Sequence, residues 1–284
     1  MKKALQLLSA LTTGSAAAGV LLLAGALAFV LITRGSAAIS PAFLTQETRE
    51  AGASGGILWQ IAGTLILVAT AALVALPFAT ALGITRAWLL PPQSRPARVL
   101  GFILQLLNAV PSILLGILGL ILFTGMLGWG KSWLAGGVLL GIMIVPTAAV
   151  MLANRIESLP RGQLDAAAGL GLRRGHIIRS IILPQSAAAL LSGMLLGLAR
   201  AAGETAPILF VAAVFSGATI PTGIHEQPVL ALPYHIFVLA QDSFQEASRT
   251  NLWGAALVLV TLVSLPALAA IPMRHKLHNA ADHA

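Results

Sequence analysis

Four short stretches of the chain match patterns that do chemistry in other proteins. Residues 125–132, Gly-Met-Leu-Gly-Trp-Gly-Lys-Ser, fit G-x-x-x-x-G-K-S/T, the loop that cradles the phosphates of ATP. Residues 52–56, Gly-Ala-Ser-Gly-Gly, fit the G-x-S-x-G elbow, with Ser54 in the place of the nucleophile. His275 and His278 are spaced as a possible pair of metal ligands near the C-terminal end, and Arg200 and Glu204 stand four residues apart inside an apolar stretch. Each pattern demands a particular setting, so the surrounding elements decide which chemistry is available.

That setting is a membrane. Of the 284 residues 57% are hydrophobic and only 9% charged, with a mean hydropathy of +0.91, whereas a soluble domain carries about 25% charged residues. No Asp, Glu, Lys or Arg occurs between Lys3 and Arg34, Glu50 and Arg86, Arg98 and Lys131, Lys131 and Arg155, or Arg249 and Arg274. Each run exceeds the roughly 20 residues that a spanning helix needs. Residues 186–215, interrupted only by Arg200 and Glu204, supply a sixth span. With the N-terminus inside, the cytoplasmic segments hold twelve Lys and Arg and the outer segments four, the asymmetry expected of an inserted protein. Splitting the sixth stretch at Arg200 into two spans loses this asymmetry. The sequence therefore predicts an all-α membrane protein of six transmembrane helices with both termini cytoplasmic.

Several readings are excluded by the same facts. The net charge of +8 comes from basic residues in short loops at span ends, not from a continuous patch, so no nucleic acid partner is expected. The first apolar stretch is longer than a signal-peptide core and reads as an uncleaved span. With no Cys there is neither a disulfide framework nor a thiolate metal site. A phosphate-cradling loop needs a strand before it, a helix after it and an acid for Mg²⁺. Residues 125–132 lie between two membrane helices on the outer side, where Trp129 suits a tight interfacial turn. The stretch before Ser54, Leu-Thr-Gln-Glu-Thr-Arg-Glu-Ala, is polar and not strand-like, which points to a flexible loop. His275 and His278 read as a solvated inner tail, with no metal.

Pro77, Pro111, Pro146, Pro207 and Pro266 fall inside spans two to six. Each removes a backbone donor and kinks its helix, which a membrane tolerates where protein or a water-filled cavity re-satisfies the backbone. A bundle with a pathway fits. Gly193 and Gly197 form a G-x-x-x-G, a weak signal of close helix approach or simply membrane-helix glycine. Residues 232–248 have helical spacing and either lie along the membrane surface or cap the bundle.

Arg200 and Glu204 need a reason to be inside the membrane, because a buried charge costs roughly 2.5 to 3.5 kcal/mol on insertion scales. At i and i+4 they can neutralise each other. Alternatively Arg200 faces the pathway and meets an anion, since a guanidinium pairs two hydrogen bonds with phosphate oxygens. The two roles are compatible, whereas Glu204 would repel an anion as a direct ligand.

The inner loop, residues 154–184, carries five arginines. Pro160 is placed to start a helix and Gly171 to stop it, so a short helix over 160–170, a turn and a second helix to Pro184 are expected. Ile177, Ile178, Ile181 and Ile182 would face water unless a partner covers them. The loop resembles the signature of ABC-importer permeases, E-A-A-x-x-x-G, nine residues, then I-x-L-P. Asp165, Ala166, Ala167, Gly171, Ile181, Leu183 and Pro184 keep every spacing, with Asp in place of the usual Glu. The resemblance implies a type I, MetI-like bundle whose loop docks on a separate ATPase dimer. That dimer would bind ATP and Mg²⁺, so this chain would be a transport subunit and not an enzyme, with no cofactor of its own.

Gly203-Glu204-Thr205-Ala206-Pro207 is similar to a segment of the permeases of phosphate importers. That likeness implies a second, related permease subunit, an extracytoplasmic phosphate-binding protein, and inorganic phosphate as substrate, all within membrane lipid of the bacterial inner membrane. It makes Arg200, Glu204 and Thr205 the pathway residues. Another oxyanion, such as sulfate or molybdate, or a stand-alone secondary transporter are the alternatives. The expected division is 1–56 for the first helix and outer loop, 57–273 for the permease domain, and 274–284 for a cytoplasmic tail.

Overall fold

A computed structural model describes residues 2–241 and 246–272. His275, His278 and the expected tail lie outside the described residues. The order is α1 (Lys2–Gly35), α2 (Pro41–Thr45), the strands β1 (Thr48–Arg49) and β2 (Ser54–Gly55), α3 (Leu58–Ile84), α4 (Arg95–Ala109), α5 (Ser112–Gly119), α6 (Trp133–Glu157), α7 (Arg161–Gly169), α8 (Arg174–Ile177), α9 (Leu183–Gly203), α10 (Ala206–Val211), α11 (Leu232–Gln241) and α12 (Glu246–Ala269). Among the described residues five helices are long and apolar enough to cross a membrane, and six if the bent pair α4–α5 counts as one span.

α6 is the central helix, packed between α3 and α9. In lipid no hydrophobic force draws helices together, so association depends on close backbone approach at small residues. Ala71, Ala75 and Ala79 on α3 are fully buried. A Cβ on Gly137 or Gly141 of α6 would fall 2.5 Å from Thr70 Cβ or 2.8 Å from Val74 Cβ. On α9, a Cβ on Gly193 would fall 2.8 Å from Ala148 Cα, and one on Gly197 2.6 Å from Ile144 Cγ2. The G-x-x-x-G is thus a helix contact. By contrast α1 meets the rest of the chain mainly through α12 at one end, where Arg34 lies 5.5 Å from the Trp253 ring centre.

Two spans differ from expectation. Pro111 does not kink a continuous helix; it ends one and starts another, and the two axes differ by 96°. A proline excludes its predecessor from helical geometry, and Val110 and Pro111 are both extended, with ψ of 127° and 133°. The span expected over 186–215 runs instead over residues 174–203. Pro184 causes no turn there, because a π-helical turn at Ile178–Ile182 immediately precedes α9 and accommodates the ring and the lost donor. Pro207 stands at the start of α10, after a break at Glu204 and Thr205. Pro77, Pro146 and Pro266 do lie inside α3, α6 and α12.

The segment expected to be a flexible loop is ordered. Ser40 caps α2 by accepting from Phe43 N at 3.1 Å, and β1 pairs with β2 so that Ser54 faces Arg49 across a small hairpin. A two-residue strand does precede Ser54, against the reading of that stretch. Of the helix read in 232–248, the part in α11 caps the bundle, with Leu232, His235 and Leu239 buried, while 242–245 lie outside the described residues.

Candidate functional site

The inner loop at 154–184 is built by three local devices. Pro160 caps the start of α7 in extended geometry, which frees the next residue to open a helix. Leu164 and Ala167 turn inward onto a cluster containing Ile84, Leu152, Ile156 and Leu159. At the other end Gly171 adopts φ +81°. Its N–H donates to Ala168 O at 3.0 Å and that of Leu172 to Ala167 O at 3.2 Å, the paired bonds of a Schellman cap. Nothing lies within 4 Å of a Cβ placed on Gly171, so backbone conformation alone demands glycine there.

The signature residues divide into two groups. Asp165, Ala166 and Pro184 are exposed, while Ala167 is buried and Ile181 and Leu183 are half-buried against the inner cluster. Ile177 and Ile182 are also buried in that cluster, at 1% and 0% exposure, so the isoleucines need no partner protein to cover them. α8 and the π turn face the chain's own bundle, where a partner protein was expected to cover them. The most exposed large apolar residue among the described residues of the loop is Leu170, 84% exposed beside Gly171. Sequence reasoning missed it, although a large apolar residue next to a helix-stopping glycine is a visible signal. Arg155 Nε donates to Gln185 O at 3.2 Å and ties the two ends of the loop together.

Arg200 occupies the last turn of α9, where the helix dipole favours a cation. Its Nε lies 3.3 Å from Glu204 Oε1. Glu204 is the C-cap, donating its backbone N–H to Ala201 O at 3.2 Å, so the pair straddles a helix end and is not on one continuous helical face. The Arg200 side chain is 46% exposed and that of Glu204 16%. The terminal amino groups of Arg200 have no partner among the described residues, which leaves the edge suited to an oxyanion open. Thr205, half-buried, accepts from Leu209 N at 2.9 Å through its carbonyl.

α10 packs on α5, and a Cβ on Gly116 would fall 3.0 Å from Pro207 Cα. The two broken spans therefore meet. Near the other break, Thr147 donates to Asn108 Oδ1 at 2.9 Å and pins the end of α4 to α6. This pair escaped the sequence reading because counting charge-free runs ignores uncharged polar side chains.

The residues of the apparent ATP loop are otherwise engaged. A π-helical turn, Leu120–Met126, runs into it where a strand would be needed. Ser132 Oγ caps α6 by accepting from Ala135 N at 3.2 Å, and Lys131 Nζ donates to Leu209 O at 3.0 Å. Gly128 and Gly130 have φ of +66° and +60°, forming the turn, and Trp129 packs 5.2 Å from the Phe123 ring centre.

A helical membrane bundle with broken spans and an exposed helical elbow is the architecture of an importer permease. The chain belongs to the family of binding-protein-dependent transport system inner membrane components, which it matches over residues 79–271, and it is an inner-membrane, multi-pass transport permease. Among named relatives it is similar to the phosphate transport system permease protein PstA of Yersinia pestis, 30% identical over 88% of this chain and 83% of that protein. It is also similar to PstA of Haemophilus influenzae, 29% identical over 87% and 86%. The probable PstA of Methanocaldococcus jannaschii is 33% identical over 73% and 72%. Among solved structures, the inward-facing MetNI methionine ABC transporter has a chain with the same fold, at a TM-score of 0.59 and 17% identity over 78% of this chain and 97% of that one.

Proposed function

We propose that this chain is a permease subunit of an ATP-driven phosphate importer and that Arg200 meets the phosphate in the translocation pathway. The observation that carries the reading is the Arg200–Glu204 pair at a helix break, with the guanidinium's outer edge open. Glu204 holds the arginine in place between substrates, and phosphate oxygens take the free amino groups. Thr205 lines the same break. The named relatives support phosphate as the substrate, since they are phosphate transport permeases.

The pathway forms between this chain and a second, related permease, with an extracytoplasmic phosphate-binding protein delivering the anion. ATP and Mg²⁺ belong to an ATPase dimer that receives α7, Asp165, Ala166 and Leu170 in a surface groove. Gly171 sets the angle at which the elbow is presented, while Ala167, Ile181 and Leu183 fasten it to the bundle. Residues 57–273 form the permease domain with its loop at 154–184, preceded by the first helix and outer loop of 1–56. Both chain ends, including the 274–284 tail, lie on the ATPase side.

The test is uptake of labelled phosphate by the reconstituted complex, with sulfate and molybdate as competitors. Wild-type uptake is expected to resist both competitors, and Arg200→Ala is expected to lose uptake by at least two orders of magnitude while the complex still assembles. Normal uptake by that variant would reduce Arg200 to a structural partner of Glu204, and phosphate uptake without this subunit would remove the reading.

A further inference from the structure

The face that carries α7 has a second chemical feature, which neither the coupling elbow nor Arg200 uses. A cavity of about 670 Å³ opens between the π-helical turn after α3, the start of α4, and the junction of α6 with α7. Arg86, Arg98 and Arg161 reach it from these three segments. Glu157 occupies Arg86 at 3.6 Å. Arg98 and Arg161 have no ion-pair partner among the described residues, although Asp165 contributes to the same wall. Two unpaired guanidinium groups lining one recess repel each other, and an anion between them removes that cost.

The rest of the wall joins an apolar part to Gln93, Gln105, Glu157 and Asp165. Leu90 and Phe102 line the cavity, and Phe102, midway along α4, is 65% exposed. Trp88 lines it as well, a residue type enriched at headgroup depth. A basic recess continuous with exposed apolar surface suits a group with phosphate oxygens at one end and hydrocarbon at the other.

We propose that this cavity binds the phosphate group of an anionic ligand, with Arg98 and Arg161 as the donors. The same oxygens are offered by a phospholipid headgroup of the adjoining leaflet and by free inorganic phosphate, and the apolar side chains of Trp88, Leu90 and Phe102 favour the lipid. Arg161, Leu164 and Asp165 belong to α7, so an occupied cavity braces the coupling helix against α4. Anionic ligand thereby sets how firmly α7 is held when it docks. The site does not depend on which solute the permease carries.

The experiment uses the complete transporter in nanodiscs, with an environment-sensitive dye on Gln93→Cys at the cavity rim, away from the Arg200 pathway. Neutral phosphatidylcholine discs are compared with discs containing phosphatidylglycerol, and inorganic phosphate is titrated into the neutral discs. The expected result is a dye response to phosphatidylglycerol that falls several-fold in Arg98→Ala and in Arg161→Ala, with matching loss of retained phosphatidylglycerol in native mass spectrometry. A response to inorganic phosphate alone, lost in the same variants, keeps the site and assigns the free anion as its ligand. No response to either, or a response that both variants retain in full, overturns the proposal. Arg98→Gln is read beside Arg98→Ala, so that an assembly failure in one does not decide the result.

Discussion

The two ends of the bundle are finished in opposite ways. At the end away from α7, the chain closes on itself with buried polar contacts. Gln60 Nε2 donates to Thr48 Oγ1 at 2.6 Å, Leu232 N donates to Thr64 Oγ1 at 2.9 Å, and Asn251 Nδ2 donates to Gly52 O at 2.8 Å. His235 sits among them, stacked on Phe215 with ring centres 5.6 Å apart. At the other end, α7 is held by one inward face only, and its outer face of Asp165, Ala166 and Leu170 is left to solvent. The lesson is that one end is tied by its own side chains and the other presents an open helix face. Helices joined rigidly at one end can transmit a push received at the other.

The contrast can be broken at the elbow first. Gly171→Val puts a β-branched residue at φ +81°, a conformation costing roughly 1–3 kcal/mol for such a side chain. The expected outcome is at least a tenfold fall in transport per ATP hydrolysed, with the bundle still folded, read by parallel uptake and ATPase assays. Next comes Leu170→Asp, which places a charge in the surface proposed to dock on the ATPase. It is expected to weaken association with the ATPase several-fold in a pull-down while leaving the thermal stability of the isolated subunit unchanged.

The closed end answers to pH instead. Burial lowers the pKa of His235, which lies outside the spanning helices, from 6.5 to about 4. The unfolded imidazole takes its proton near pH 6.5 and the folded one only near pH 4. The cap's stability is therefore full above pH 6.5 and falls between the two values, by about 3 kcal/mol at the lower limit. Thermal melts across this range check the sign, and replacing His235 with Phe should flatten the profile. The smallest effect is expected for Gln60→Leu, which removes the bond to Thr48 and also the unpaired Oε1 buried beside it. Losing one bond while relieving one orphaned acceptor roughly cancels, leaving a net change within about 1 kcal/mol of zero, with transport by the folded fraction unaltered.

Much of this division was readable from residues alone. Charge-free runs gave the spans, since lipid admits few charges, and Pro160 and Gly171 gave the elbow, since a proline opens a helix and an αL glycine stops it. The breaks at Val110–Pro111 and Glu204–Thr205 were not readable as breaks. Proline predicts a disturbed helix, but whether it bends or ends depends on what the neighbouring helix offers, here α10 lying against Gly116. Which isoleucines are buried was equally hidden, because the π turn at Ile178–Ile182 shifts the helical phase and redirects the side chains that a regular helix would expose. The pairing of Asn108 with Thr147 joins residues 39 positions apart, a distance over which local spacing says nothing.

One measurement bears most directly on the claim that energy enters through α7 from a neighbouring subunit. The chain has no cysteine, so Leu170→Cys creates a single reporter in this subunit for a membrane-impermeant maleimide. Labelling is predicted in inside-out vesicles stripped of the ATPase, with protection when the ATPase is added back and no reaction in intact cells. Labelling of intact cells, or equal labelling with and without the ATPase, would contradict the account.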